Sequence, residues 1–164
     1  NTSIPFYSVS NDIIKELKIN YLDLKNEKIF GDDIKKEDIS NFQIKKSNSS
    51  LSLKFENGLF SSSNNELNKN SEAINDLIHN IQLFKVTKFV SDKASDLFEF
   101  SLDKPELQIF YEIKGIKRTL NFSKKKNIFY GVIFEQQEMD IFETPPSKDG
   151  KIPEFLEPIS KYIN

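Results

Sequence analysis

Few side chains in this sequence have the types and spacing that reactive chemistry needs. Histidine occurs once, at His79. One imidazole cannot build a histidine-based metal cluster, and no carboxylate pair flanks it, so a surface histidine is the preferred reading. A hydrolytic triad needs a nucleophile, a base and an orienting acid. Ser61, Ser62, Ser63 and Asp76 offer those residue types without a spacing that would join them. Cysteine is absent, which excludes disulfides, thiolate zinc sites and thiol nucleophiles.

Carboxylates gather twice. Asp32, Asp33, Glu37 and Asp38 form an acidic cluster whose oxygens suit calcium or magnesium. They lack the alternating spacing of a calcium loop, and Lys35 and Lys36 intervene, so a solvated loop is preferred. Asp96, Glu99 and Asp103 could converge, although Asp103 is better placed to cap a turn into Pro105. Five glycines and no glycine-rich phosphate motif leave nothing to cradle a nucleotide. The expected catalytic, cofactor and metal residues are therefore none.

Bases gather once, at Lys124, Lys125 and Lys126, with Lys117 and Arg118 nearby. Near a membrane they could touch anionic headgroups; otherwise they solubilise a hairpin tip. Phe122, Phe129 and Tyr130 interleave with them, as in a stacking surface for nucleic acid. Their strand period favours burial instead. With a net charge of −2 and no dominant basic face, nucleic acid is not an expected partner.

The elements that must position these residues are more legible. Asp96–Ile113 joins the best helix signal to the best strand signal. Pro105 makes a continuous helix through it improbable, and Leu107, Ile109, Tyr111 and Ile113 then alternate as a half-buried strand does. Leu97, Phe98, Phe100 and Leu102 precede it as a short apolar plug. Ile74, Leu77, Ile78, Ile81 and Phe84 make one stripe of an amphipathic helix over 71–85, with Ser71 as its cap. Ile39–Lys45, Leu51–Phe55 and Leu59–Phe60 read as strands, the last two joined by Asn57-Gly58, a strong hairpin signal. Ser61–Asn70 reads as a polar loop and Val86–Val90 as extended. Lys114-Gly115 turns into a strand at Ile116–Phe122. Ile128–Phe134 is apolar on both faces and belongs inside a sheet. Gln136-Gln137 turns into Met139–Phe142, and Thr144-Pro-Pro146 ends that strand. Pro153 opens a short C-terminal helix that Pro158 should kink or end.

The N-terminal part is least patterned. A helical turn near Asn11–Leu17 and an extended segment through Leu24 are expected, then a charged, solvated connector over Lys25–Asp38. The fold class is α+β: an antiparallel sheet with one amphipathic helix on a face and a short C-terminal helix. Residues 1–37 would be an arm and loop, and 38–164 a single domain. With 164 residues the domain can bury a substantial core. Fifteen phenylalanines make that core aromatic.

Order and motifs together resemble a bacterial envelope family, domain of unknown function 4340, over roughly Asp38–Asn164. That family carries an aromatic-Gly-Leu-Asp-x-Pro motif after its helix. Phe100, Leu102, Asp103 and Pro105 match it, and Ser101 stands in the glycine position. The resemblance implies an extracytoplasmic, non-enzymatic domain, periplasmic and tethered to the cell membrane by a transmembrane helix or lipid anchor upstream of Asn1. It implies a transporter subunit of the ABC type as the membrane-protein partner, and no cofactor. A secreted or surface-exposed protein that binds a ligand or host component is the alternative, and a cryptic hydrolase a distant third.

Overall fold

The structure, a computed structural model, describes Leu22 and residues 25–47, 49–135 and 138–163. The expected helical turn at Asn11–Leu17, the extended segment through Leu24 and the Gln136-Gln137 turn lie outside the described residues.

Eight strands form one sheet: β1 (Ile39–Lys46), β2 (Ser49–Glu56), β3 (Leu59–Ser62), β4 (Lys88–Ser91), β5 (Leu107–Ile113), β6 (Ile116–Lys125), β7 (Ile128–Glu135) and β8 (Glu138–Thr144). Their order across the sheet is β3-β2-β1-β5-β6-β7-β8-β4. Every neighbouring pair is antiparallel. The chain is mixed α and β, as its periodicities predict.

Turn chemistry sets the hairpins. Asn57 and Gly58 have φ of 53° and 81°, and Lys114 and Gly115 have 52° and 75°. Positive φ at both central residues matches the right-handed twist of the flanking strands. Register then decides which side chains share a face. Leu51, Ile44, Ile109, Leu120 and Ile133 lie opposite one another in one apolar row across five strands. A second row runs Leu107, Phe122, Gly131, Phe142 and Phe89. Both rows belong to the main hydrophobic core, except that Gly131 contributes only space.

Among the described residues two α-helices precede β4: α1 (Asn65–Asn68) and α2 (Ser71–Leu83). Ile74, Leu77, Ile78 and Ile81 of α2 are buried and join the same core as the two rows. The helix ends two residues before the expected boundary at Lys85. Its cap is Asn70 rather than Ser71: the Asn70 side chain accepts from the Ala73 N–H at 3.2 Å. Ser61–Asn70 is not all loop. Asn64 accepts from the N–H groups of Glu66 and Leu67, starting one helical turn that buries Leu67 completely.

Two further expectations are corrected. The segment before β1 is no solvated connector, because Ile29, Phe30 and Ile34 are buried. Phe30 packs its ring against Phe84 at 5.5 Å, Tyr111 at 5.0 Å and Phe155 at 5.7 Å. Three charged residues on either side hide one aromatic anchor. The plug is also only partly a plug. Leu102 is buried, Leu97 and Phe100 are half-buried, and Phe98 is exposed. The backbone runs as a 3₁₀ turn over Ala94–Leu97 and then a tight loop.

The C-terminal helix is 3₁₀ throughout, Glu154–Tyr162, and passes through Pro158 without ending. Phe155, Leu156 and Ile159 anchor it in the main core. The 3₁₀ form needs only i to i+3 bonds, so its path is set more by those anchors than by a regular ladder.

Candidate functional site

The loop between β4 and β5 crosses the face of the sheet opposite the main core. There Leu102 joins Val132, Met139 and Ile141 in a second cluster, with Val90, Leu97, Phe100 and Tyr130 at its edge. Register explains why these strand residues meet: Val132 is opposite Ile141, one step out of phase with the core row. Three hydrogen bonds fix the loop's course. Leu102 N–H donates to Leu97 O at 2.8 Å and Ser101 N–H to Phe98 O at 3.1 Å. The buried Ser123 hydroxyl donates to Ser101 O at 2.7 Å. Ser101 itself sits at φ 60°, the left-handed region that the resemblance assigns to glycine.

The basic residues meet this loop at the end of the β6–β7 hairpin. Lys125 Nζ donates to Glu99 O at 2.8 Å and lies 5.8 Å from the Phe100 ring centroid. Lys124 Nζ donates to Gly150 O at 2.6 Å, and Lys126 is exposed at a φ of 60°. The three adjacent lysines are therefore not equivalent. Two are tied to backbone carbonyl oxygens rather than to carboxylates. Tyr130 stands beside them, its phenol pushed up by burial and by the Glu143 carboxylate, so it stays neutral.

Beyond the loop the same face carries half-buried polar and aromatic side chains. Ser52, Gln43, Phe110 and Thr119 lie in one cross-strand row over β2, β1, β5 and β6. Phe110 and Phe134 line a depression of about 520 Å³ with Asn41, Glu112 and Thr119. Lys45 Nζ stands 4.8 Å from the Phe110 centroid. Phe134 is left 46 % exposed. The signal for this surface was present in the alternation itself: if Ile109 and Tyr111 face the core, Phe110 must face away.

The residues singled out for catalysis or metal binding do not converge. His79 is exposed on α2 and lines a groove of about 750 Å³ with Asp76, Leu83, Lys148 and Glu157. Thr144 also lines it, and its buried hydroxyl has no hydrogen-bond partner among the described residues. Ser62 and Ser63 accept from the backbone N–H groups of Asn64 and Ser52. Asp32 bonds to Lys28 and Asn26, which hold its carboxyl below the usual range. Asp38 accepts from the Lys35 N–H at 2.8 Å. Asp96 accepts from the Ser91 and Ser95 hydroxyls at 2.5 Å and 2.9 Å. Asp103, expected to cap the turn into Pro105, is exposed. Among the described residues no three His, Cys, Asp or Glu side chains are grouped to hold a metal ion. Among them, too, no helix is long and apolar enough to cross a membrane.

No family model, no curated protein and no solved structure matches the chain.

Proposed function

We propose that the chain is a non-enzymatic, extracytoplasmic interaction module of the bacterial envelope, held at the membrane by a transmembrane helix or lipid anchor on its N-terminal side. Its partner is a subunit of an ABC-type transporter. One observation carries the binding role: among the described residues, half-buried Phe110 and Phe134, which is 46 % exposed, line a depression on one sheet face beside Asn41 and Thr119. The opposite face is spent on α2, the C-terminal 3₁₀ helix and the segment around Phe30. The envelope setting rests on the resemblance at Phe100, Leu102, Asp103 and Pro105, and the Ser101 turn supports it by having the geometry expected of glycine there.

The test is affinity capture from detergent-solubilised membranes, with the parent chain and a Phe110→Ser, Phe134→Ser double variant. The proposal requires an ABC-transporter subunit on the parent and its loss on the variant. Recovery of no such subunit, or equal recovery on both, counts against it. The second reading, a secreted or surface-exposed ligand-binding protein, is favoured by the groove beside α2. There Leu83 is 63 % exposed and the Thr144 hydroxyl has no hydrogen-bond partner among the described residues. It predicts material released from cells rather than held in the membrane fraction.

A further inference from the structure

Phe98 is the most exposed large hydrophobic residue among those described, at 79 %. A single exposed apolar side chain is ordinary. This one is neither isolated nor loosely held. Its loop is fixed by the bonds from Leu102 to Leu97 and from Ser101 to Phe98, so the backbone itself keeps the ring outside. Two residues on, Phe100 is half-buried and stacks at 4.7 Å on Tyr130. Ile128, on the same strand face as Tyr130, remains 38 % exposed. Lys125 reaches over from the hairpin to the Glu99 carbonyl, and Lys126 is next to it at the tip. Among the described residues neither ammonium is paired with a carboxylate. Acids in the neighbourhood are Glu99, between Phe98 and Phe100, Glu106, whose carboxylate accepts from the Lys124 N–H at 3.5 Å, and Glu143, which is engaged with Tyr130.

We propose that Phe98, Phe100, Ile128, Lys125 and Lys126 form a peripheral membrane contact, which seats the Phe98 ring in the headgroup layer of an anionic bilayer. The composition fits the two zones of that layer. Aromatic and aliphatic groups take the apolar side, and lysine stems lie along it while the ammonium groups reach phosphate. The positive charge of Lys125 and Lys126 complements the lipid charge, each lysine being worth about fivefold in partitioning, against the opposing carboxylates of Glu99 and Asp103 in the loop. The proposal goes beyond the transporter reading because it requires no protein partner.

The chain has no tryptophan, so Phe98→Trp installs a single reporter at an exposed position. Its emission is followed as vesicles are added, either phosphatidylcholine alone or with roughly one-third phosphatidylglycerol. A blue shift with the anionic vesicles, weakened by high salt, is the expected result. Co-sedimentation of the 164-residue chain gives the second measurement. Phe98→Ser should lower partitioning about tenfold or more, and Lys126→Glu about fivefold or more on anionic vesicles only. Unchanged emission with anionic vesicles overturns the proposal. So does equal sedimentation of parent and Phe98→Ser, or an emission shift that occurs only when solubilised membrane proteins are added, which would mark a protein-docking site. Because the vesicles contain no protein and the capture experiment turns on Phe110 and Phe134, the two readings fail separately.

Discussion

Phe122 and Phe142 meet edge to face, with centroids 5.9 Å apart and planes at 86°, over a gap left by Gly131. A Cβ at Gly131 would overlap the Phe142 ring and come within 2.7 Å of Phe122 Cε1. The three residues lie side by side on β6, β7 and β8, so the glycine permits two large rings in adjacent register positions. Edge-to-face pairs add about 0.5–1.5 kcal/mol beyond the area they bury. The absence of a side chain is thus a packing device, although a glycine inside a strand weakens the strand locally.

Gly131→Ala should therefore destabilise the fold by about 1–3 kcal/mol, the usual cost of overpacking. Urea unfolding measures it. A midpoint equal to the parent's would mean that the rings are not locked in place.

Leu77 is fully buried in the middle of α2, whereas Leu83 in its last turn is 63 % exposed. Leu77→Ala should cost about 2–5 kcal/mol. Leu83→Ala should stay within about 0.5 kcal/mol of the parent. The pair tests which side of the helix faces the core, because both changes remove the same atoms. Equal losses at the two sites would contradict the placement.

Phe30 touches Phe42, Phe84, Tyr111 and Phe155, so it ties the segment before β1 to the centre of the core. Phe30→Ala is expected to cost about 3–5 kcal/mol. A chain truncated to begin at Ile39 should unfold at lower denaturant for the same reason. If that truncation matched the parent in stability, the segment would be an accessory rather than part of the core.

Phe30 also marks where sequence reasoning loses its grip. The α2 stripe and the hairpins were legible because each repeats a local rule, helical spacing or positive φ at a turn. Phe30 obeys no period: beyond Ile29 and Gly31 the residues around it are mostly charged, and only the tertiary fold brings four rings around it. Leu67 is similar, buried by a single turn too short to show a pattern. Phe98 errs the other way. An apolar residue among apolar residues predicts burial, and nothing local shows that the Leu102-to-Leu97 bond turns it outward. The lysine tip was visible as a basic run, but the carbonyl bonds of Lys124 and Lys125 depend on loops from distant parts of the chain.

The Ser91 and Ser95 hydroxyls, in that order, hold the Asp96 carboxyl below its ordinary value. A folded-state value below the unfolded one means that folding favours the ionised form. The resulting stabilisation is present above about pH 3.9 and is lost as the pH falls through the lower, folded value. Ser91→Ala should raise the Asp96 midpoint and flatten that acid limb. Carbon-13 NMR titration of the carboxyl group reads it directly. The same midpoint in parent and variant would remove the Ser91 hydrogen bond as the cause.

Ser101 offers the opposite kind of change, one that should stabilise. Its φ of 60° costs an L-residue about 1–2 kcal/mol, and glycine is free of that cost. Glycine in turn has more unfolded-state freedom to lose, about 0.5–1 kcal/mol. The Ser101 side chain is exposed, and the bond that matters here is accepted by the Ser101 carbonyl from Ser123, which glycine keeps. The balance favours Ser101→Gly by roughly 0.5–1 kcal/mol. Ser101→Val, β-branched and poorly tolerated at positive φ, should lose stability instead. Thermal or urea unfolding of the two variants decides the matter through the sign of the difference between them: a valine variant as stable as the glycine one would mean that this turn does not adopt the left-handed geometry, and the outward placement of Phe98 that depends on it would fall as well.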